Sequence, residues 1–179
     1  MYKRIVLLGM PCSGKSSVGK AIAEQLNCRF IDMDTVIEEK VHMKIEDIFS
    51  KFGEDKFRQL EELLAKKLGE SEGVVISTGG GIVTRPAAIE ALVNEETYSI
   101  YLKRGFYKII NTPDWVKERR PLLKNISNKD FHNMYMQRVP LYTKYSTVIV
   151  PNETDRAEAI SEIIEKVNEL KKNGEIFDY

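Results

Sequence analysis

The chain has 179 residues, of which 27 are basic and 27 acidic, and this length suits one α/β domain with a self-sufficient core. The balanced charge argues against a general nucleic-acid binder and against a protein that binds anionic membranes. The two cysteines, Cys12 and Cys28, offer neither a disulfide framework nor a metal-binding CxxC spacing. The apolar run near the N-terminus is too short for a signal sequence or a membrane span, so we expect a soluble, cytoplasmic protein.

The first motif is a glycine-rich turn between a predicted strand and a predicted helix. Residues 3–8 predict a buried strand, residues 9–16 follow the pattern GxxxxGKS, and helical spacing runs over 15–26. In such a loop, backbone N–H groups and the helix N-terminus hold a polyphosphate. We expect Lys15 to reach the β- and γ-phosphates and the Ser16 hydroxyl to ligate Mg²⁺. The alternative is a turn between strand and helix that binds nothing.

Two acidic residues mark the end of the second predicted strand. Asp32 ends the segment 29–32, and Asp34 follows two positions later. Ligands bind at the carboxyl edge of a doubly wound sheet, so both acids are expected to face the crevice of the glycine-rich loop. If the strand continues to Asp34, the two carboxylates share one face and suit a metal ion beside a substrate hydroxyl. The alternative is that Asp34 only caps a helix that begins near Thr35.

The segment between the second and third strands is predicted to be entirely helical. Apolar spacing gives two helical pieces over 35–52, and Gly53 begins a further helix that reaches about residue 68. Arg58 lies beside the apolar stripe of that helix, where its spacing to Glu61 and Glu62 predicts a surface ion pair. A helical insert beside the crevice suits a substrate-holding subdomain.

Three consecutive glycines, residues 79–81, follow the third predicted strand at residues 73–77. Glycines cost backbone entropy on folding, so a triplet is expected where the backbone must approach another group closely. We interpret that group as a substrate, with a bare flexible loop as the alternative. A helix over 86–93 and a strand over 98–102 follow.

The rest of the chain predicts a basic segment and three further elements. Between residues 104 and 125 the periodicity breaks and basic side chains crowd together, which favours a moving lid over a solvated basic surface. A helix over 128–142, a strand over 146–150 and an amphipathic helix over 155–172 follow, and the tail after Gly174 is expected to fray. His42 and His132 have no metal-ligand spacing.

Taken together, the motifs resemble those of the shikimate kinases from about residue 4 to residue 170. Beyond the glycine-rich loop, the resemblance rests on residues 30–34 (FIDMD), 53–61 (GE, then FRQLE), 79–81 (GGG), 120–123 (RPLL) and 138–142 (RVPLY). It implies one P-loop kinase domain over 1–179, an α/β fold with a five-stranded parallel sheet flanked by helices, as in nucleoside monophosphate kinases. The parts it implies are a core of 1–32, 70–103 and 126–179, a shikimate-binding insert of about 33–61, and a lid of about 111–125.

The resemblance also implies an activity: phosphorylation of the 3-hydroxyl of shikimate by ATP with Mg²⁺, by a monomer that binds neither nucleic acid nor membrane. Asp34 would meet the hydroxyl, while Arg58 and Arg138 would hold the carboxylate. The backbone of Gly80 and Gly81 would line the pocket. Further roles follow for the catalytic pair Lys15 and Arg120, for the Mg²⁺ ligands Ser16 and Asp32, and for the ATP contacts Gly9, Pro11, Cys12, Ser13, Gly14, Lys15, Ser16, Ser17, Arg120 and Arg156.

Three positions depart from the family pattern. His42 stands where a glycine is usual, which suggests a different helix end, and Lys144 replaces the usual acid after Tyr142. The adenine-stacking arginine has no clear counterpart, leaving Lys108, Pro151 and Arg156 as candidates. Two other functions stay open: a related kinase for gluconate or a nucleoside monophosphate, and a nucleotide-binding interaction module without catalysis.

Overall fold

The computed structural model of the protein describes residues 1–113, 126–153 and 155–177. Its sheet has five parallel strands in the order β2-β3-β1-β4-β5. The α/β fold predicted from the sequence is thereby confirmed. In chain order the strands are β1 (Arg4–Leu8), β2 (Arg29–Asp32), β3 (Val74–Ser77), β4 (Thr97–Lys103) and β5 (Val148–Pro151).

Helices connect the strands and cover both faces of the sheet. One of them, α5, lies where the sequence predicted only irregular chain, so that part of the prediction was wrong. The rest of the predicted lid, residues 114–125, lies outside the described residues. The helices are α1 (Lys15–Gln25), α2 (Met33–Val41), α3 (Ile45–Leu68), α4 (Pro86–Leu92), α5 (Phe106–Ile110), α6 (Asn128–Tyr145) and α7 (Arg156–Lys172), with a short 3-10 helix at Ile82–Thr84.

The core lies on both faces of the sheet because successive strand residues point in opposite directions. In β1, Val6 and Leu8 pack with residues of α2, α3, α4 and α6. Ile5 and Leu7 pack on the other face with residues of α1 and α7. All four side chains are fully buried, as the continuous apolar run predicted for a central parallel strand.

Two backbone irregularities shape the helical segment between β2 and β3. His42 ends α2 in the left-handed region, at φ 53° and ψ 38°, so the expectation of a different helix end was wrong. Gly53, at φ 80° and ψ 169°, breaks α3 into two helical parts, as predicted. The break sets the start of the part that carries Arg58.

Residues 175–177 lie beside Tyr2, just before β1, so the prediction that the tail after Gly174 frays was wrong for these residues. Tyr2 forms a parallel bridge with Ile176, and the Phe177 N–H donates to the Tyr2 carbonyl at 2.9 Å. Both Ile176 and Phe177 are buried in the core. Burial of these two apolar side chains stabilises this part of the tail. The polar residues that precede them favoured the prediction of fraying. Across residues 1–113, 126–153 and 155–177, no helix has the length and apolar character needed to cross a membrane.

Candidate active site

The glycine-rich loop curls at the carboxyl end of β1 and needs glycine at two positions. Gly9 and Gly14 both have positive φ, at 149° and 95°. A β-carbon at Gly9 would lie 2.7 Å from the Leu102 carbonyl oxygen, and one at Gly14 would lie 2.8 Å from Asn152 Nδ2. Gly14 also stands at the N-cap of α1, so the loop leads directly into a helix N-terminus that attracts anions.

Lys15 lies inside this loop. Its ammonium group donates to the carbonyls of Gly9 at 2.7 Å and Met10 at 2.9 Å, and only 7% of the residue is exposed. The charge is therefore held against the curled backbone, at the helix start where a polyphosphate binds in such loops. Of the other predicted ATP contacts, Cys12 has a φ of 62° and Ser17 Oγ donates to the Gly14 carbonyl at 3.2 Å.

Two residues that the sequence analysis missed tie the loop to neighbouring strands. Asn152 Nδ2 donates to the Ser13 carbonyl at 2.8 Å, and Arg104 Nη1 donates to the Cys12 carbonyl at 3.2 Å. Each directly follows a strand, β5 or β4, at the carboxyl edge of the sheet. The rule that ligands bind at this edge would have singled them out. The adenine candidates Lys108, Pro151 and Arg156 are all exposed.

The two candidate acids do not lie as either sequence interpretation expected. The strand ends at Asp32, whose Oδ1 accepts the Thr35 N–H at 3.3 Å and caps α2. Asp34 is therefore neither a strand residue nor the cap, and it lies in the first turn of α2. The helix begins two residues earlier than expected, so its cap is Asp32, the carboxylate that was predicted to hold metal.

Oxygen donors gather between the loop and β2. Ser16 Oγ lies 3.5 Å from Ser77 Oγ, and Ser77 is the register partner of Asp32 in the adjacent strands. Hydroxyl and carboxylate oxygens are the donors that Mg²⁺ prefers, usually with several waters retained. This donor set fits an ion bound beside phosphate. No cluster of three or more His, Cys, Asp or Glu side chains suited to a metal occurs in the ranges 1–113, 126–153 and 155–177.

The glycine triplet is in contact with three other parts of the site. A β-carbon on Gly80 would lie 2.6 Å from the Pro11 ring of the glycine-rich loop. One on Gly81 would overlap the Arg58 guanidinium, and one on Gly79 would overlap Glu61 Oε1 and lie 3.1 Å from Asp34 Oδ1. Close approach of protein groups thus explains the triplet without any ligand, a reason that the sequence interpretation did not include.

Arg58 is buried and held by two carboxylates, so the predicted surface ion pair was wrong. Its Nη1 donates to Glu61 Oε2 at 2.7 Å, while Nε and Nη2 donate to Glu54 Oε1 at 3.1 and 2.8 Å. The side chains of Arg58 and Glu61 are only 4% and 1% exposed. The spacing on the helix predicted the partner Glu61 correctly. The burial of the pair was not predictable from spacing, because it depends on the packing of α3 against the triplet.

Glu61 is a buried acid of the site whose pKa is shifted. Burial raises its pKa above the usual range, and the neighbouring Arg58 opposes this shift. Asp34 raises this pKa further through like-charge repulsion, while Arg138 lowers it, so Glu61 interacts with the charges of Arg58, Asp34 and Arg138. Glu61 Oε1 is buried and accepts no hydrogen bond from any side chain or backbone group of the described residues.

Arg138 and Tyr142, one helical turn apart on α6, reach the triplet from the other side. Arg138 Nη1 donates to the Gly80 carbonyl at 3.3 Å, and the Tyr142 hydroxyl donates to the same oxygen. Tyr142 is fully buried, and burial raises its pKa well above the usual tyrosine value. The sequence analysis did not predict this polar contact of Tyr142.

The structure therefore brings Asp34, Arg58 and Arg138 together around Gly79–Gly81, next to the glycine-rich loop. Arg156, the predicted ATP contact, is exposed at the start of α7. Arg120 lies outside the described residues. The arrangement places two guanidiniums and the carboxylate of Asp34 beside a polyphosphate loop, which suits phosphoryl transfer to a small anionic acceptor.

Comparisons with known proteins agree with this geometry. A family model described as Shikimate kinase matches residues 11–168. A shikimate kinase of Clostridium botulinum is 40% identical over 163 residues, covering 91% of this chain and 96% of the relative. The structure of a shikimate kinase from Acinetobacter baumannii in complex with shikimate has a TM-score of 0.83 at 26% identity and covers 99% of this chain and 97% of that one. The structure of a shikimate kinase from Aquifex aeolicus has a TM-score of 0.79 at 33% identity and covers 92% of this chain and 96% of that one.

Proposed function

The chain belongs to the shikimate kinase family, and we propose from this premise that the pocket around Gly79–Gly81 receives shikimate for phosphorylation by ATP. The protein is a P-loop transferase that phosphorylates shikimate. The observation that supports the location of the acceptor is the meeting of Arg58, Arg138 and Asp34 at the triplet, beside the phosphate loop. We take the 3-hydroxyl as the group that is phosphorylated.

The two arginines bind the acceptor's carboxylate. A guanidinium presents N–H donors in a planar fork that matches a carboxylate, and such charge-assisted hydrogen bonds are about twice as strong as neutral ones. Arg58 comes from α3 and Arg138 from α6. Because the two forks stand on separate helices, they fix the orientation of the acid and not only its charge.

Asp34 orients the acceptor hydroxyl and accepts its proton. Its Oδ1 lies beside Gly79, and the side chain belongs to the first turn of α2. A carboxylate within reach of a hydroxyl can accept a proton as the oxygen attacks the terminal phosphorus of ATP. The electron pair of the P–O bond that breaks leaves with ADP.

The glycine-rich loop and Lys15 bind and neutralise the phosphates. Backbone N–H groups of the loop, the N-terminus of α1 and the Lys15 ammonium all carry positive charge toward the site where negative charge moves during transfer. When bound, Mg²⁺ supplies charge neutralisation between the phosphates, and Ser16 and Asp32 are the residues that would hold it. From its motif, we assign Arg120 to the phosphates and residues of about 111–125 to the lid that excludes water.

Parts of the chain have distinct tasks in this proposal. Residues 1–32, 70–103 and 126–179 form the core, and residues of about 33–61 form the insert that holds shikimate. We further propose that the enzyme acts as a monomer in the cytoplasm, in chorismate and aromatic amino acid synthesis. The balanced charge gives no sign of a nucleic-acid or anionic-membrane partner, so we also propose that the enzyme binds neither.

The decisive experiment is an acceptor panel. Purified protein with ATP and Mg²⁺ is offered shikimate, gluconate or nucleoside monophosphates, and ADP release is measured with a coupled assay. We expect turnover with shikimate, and ³¹P and ¹H NMR of the product should place the phosphate on the 3-oxygen. Turnover with gluconate or a nucleotide in place of shikimate would favour a related kinase, and no turnover with any acceptor would favour an interaction module.

A further inference from the structure

Glu54 occupies the side of the Arg58 guanidinium that carries Nε and Nη2. One carboxylate oxygen of Glu54 accepts from both nitrogens, at 3.1 and 2.8 Å. Glu61 takes the remaining nitrogen, Nη1, from the opposite side. With both carboxylates in place, all three nitrogens of the Arg58 guanidinium already donate to carboxylate oxygens, which are the acceptors that an acidic ligand would offer.

We propose that Glu54 is a specificity-determining competitor for the substrate's carboxylate: it binds Arg58 until shikimate displaces it. This inference rests on the proposed function, because it concerns how the same acceptor pocket fills. Two carboxylates, Glu54 and Glu61, already pair with the single guanidinium of Arg58. A third carboxylate entering there meets net negative charge, so one of the two must leave or lose its charge.

Exposure identifies Glu54 as the carboxylate that leaves. The Glu54 side chain is 49% exposed, whereas that of Glu61 is 1% exposed. Moving a half-exposed carboxylate into water costs little, because it regains its hydration. Moving Glu61 would require α3 to separate from the glycine triplet. Glu61 therefore keeps Arg58 in place, and Glu54 is exchanged for the substrate.

The backbone and the surroundings leave Glu54 room to move. It directly follows Gly53, whose φ of 80° and ψ of 169° interrupt α3. Glu54 and Arg58 also line an open cleft of about 460 Å³ together with Phe52, Gly53, Asp55, Thr84 and Arg85. Rotation of the Glu54 side chain into this cleft frees Nε and Nη2 of Arg58 without moving the helix.

Competition lowers the apparent affinity for shikimate by the fraction of time that Glu54 occupies Arg58. Removing its charge should remove this competition. We therefore expect Glu54→Gln to lower the Kd and the KM for shikimate about three- to tenfold while the KM for ATP stays the same. Glu54→Asp keeps the charge but withdraws it from the guanidinium, and it should give part of the same gain.

The matched control is Asp55→Asn. It removes the same charge one residue later, from the same helical turn and the same cleft, but Asp55 pairs with Arg85 and not with Arg58. Its effect on shikimate affinity should stay below twofold. A second control uses the acceptor: the methyl ester of shikimate has no carboxylate charge, so Glu54→Gln should leave its KM unchanged.

Equilibrium dialysis with shikimate alone and steady-state kinetics with both acceptors give the readouts. Weaker or unchanged shikimate binding in Glu54→Gln would overturn the inference, because it would make Glu54 a support for Arg58. Equal gains with shikimate and its ester would also overturn it. Wild-type protein that does not phosphorylate shikimate contradicts the proposed function instead, so the two failures are distinguishable.

Discussion

The guanidinium of Arg58 lies against the Cα of Gly81, where a β-carbon would overlap it. Gly81 has a φ of −97°, which any residue can adopt, so the constraint at this position is purely steric. Gly81→Ala should therefore displace Arg58 and raise the KM for shikimate about tenfold or more, with an unfolding free energy lowered by about 1–3 kcal/mol. Kinetics and urea unfolding measure the two effects.

Gly80→Ala is the control for this substitution. A β-carbon there meets the Pro11 ring of the phosphate loop and not Arg58. We expect the KM for ATP to rise more than the KM for shikimate. If both alanine variants raised the KM for shikimate alone, contact with Arg58 would not be the cause.

Arg138→Ala should weaken shikimate binding about 10- to 100-fold, the loss expected for charge-assisted hydrogen bonds, while ATP binding changes less than twofold. Arg138→Lys keeps the charge but loses the planar fork, so it should recover only part of the affinity. Isothermal titration with each ligand separately provides the comparison. An equal loss of ATP and shikimate affinity would assign Arg138 to the fold.

Arg58→Ala should lower stability as well as shikimate binding, because it leaves Glu61 buried with its partner removed. Breaking a buried pair from one side costs about 3–5 kcal/mol of stability. The double variant Arg58→Ala with Glu61→Gln should recover much of that stability without recovering shikimate binding. A double variant that also regained binding would contradict the role proposed for Arg58.

Asp34→Asn should lower kcat by roughly a hundredfold or more, because the amide cannot accept the hydroxyl proton. The Kd for shikimate should change little, since the arginines carry the carboxylate contact. Stopped assays at saturating ATP and shikimate measure kcat, and dialysis measures Kd. Near-normal turnover would reduce Asp34 to an acid that stabilises the start of α2.

Tyr142→Phe tests the buried hydroxyl through the dependence of stability on pH. The pKa of Tyr142 is raised by burial, so above pH 10 the unfolded chain releases this proton before the folded chain does. The unfolded state then binds fewer protons, and stability falls as pH rises. Tyr142→Phe should make this fall shallower between pH 9 and 11, by up to about 1.4 kcal/mol per pH unit.

At neutral pH the same variant should cost about 0.5–1.5 kcal/mol, because the hydrogen bond to Gly80 is lost. Tyr107→Phe, at an exposed position on α5, is the matched control and should alter neither value. An unchanged alkaline slope in Tyr142→Phe would show that the other buried tyrosines determine it. Urea unfolding of the wild type and the two variants, at neutral pH and between pH 9 and 11, measures these free energies.

His42→Gly should stabilise the protein by about 0.5–1 kcal/mol, raising Tm by about 1–4 °C. The exposed His42 adopts a left-handed conformation that glycine adopts without steric cost, although glycine also loses more backbone entropy on folding. His42→Ala keeps the steric cost and should bring no gain. Calorimetry compares the three proteins, and a lower Tm for the glycine variant would refute this account of the cap.

The order of elements and the phosphate loop were predictable, because both are written in local patterns. The apolar run before Gly9 and the spacing after Lys15 predict strand and helix without reference to the rest of the chain. The ordered tail at Ile176 and the burial of Arg58 were not predictable in this way. Both depend on which distant segment packs against them, and that information is in the fold as a whole.

The site was predictable in its members more than in its contacts. Motif order led to Asp34, Arg58 and Arg138, which do meet at the triplet. Glu54 stands four residues before Arg58 on the same helix, a local signal for an ion pair that the sequence analysis did not use. The contact between Tyr142 and Gly80 left no such signal, because it depends on how α6 packs against the triplet. The cap at Asp32 was missed because helix boundaries shift by one or two residues with little change in pattern.

The Gly80 carbonyl accepts hydrogen bonds from both Arg138 and Tyr142. A carbonyl oxygen has two lone pairs, so both are in use before any small molecule arrives. An inhibitor designed for this wall of the pocket gains little from a hydroxyl or amine aimed at that oxygen. Medicinal chemistry on this scaffold should instead place acceptor atoms opposite the guanidiniums.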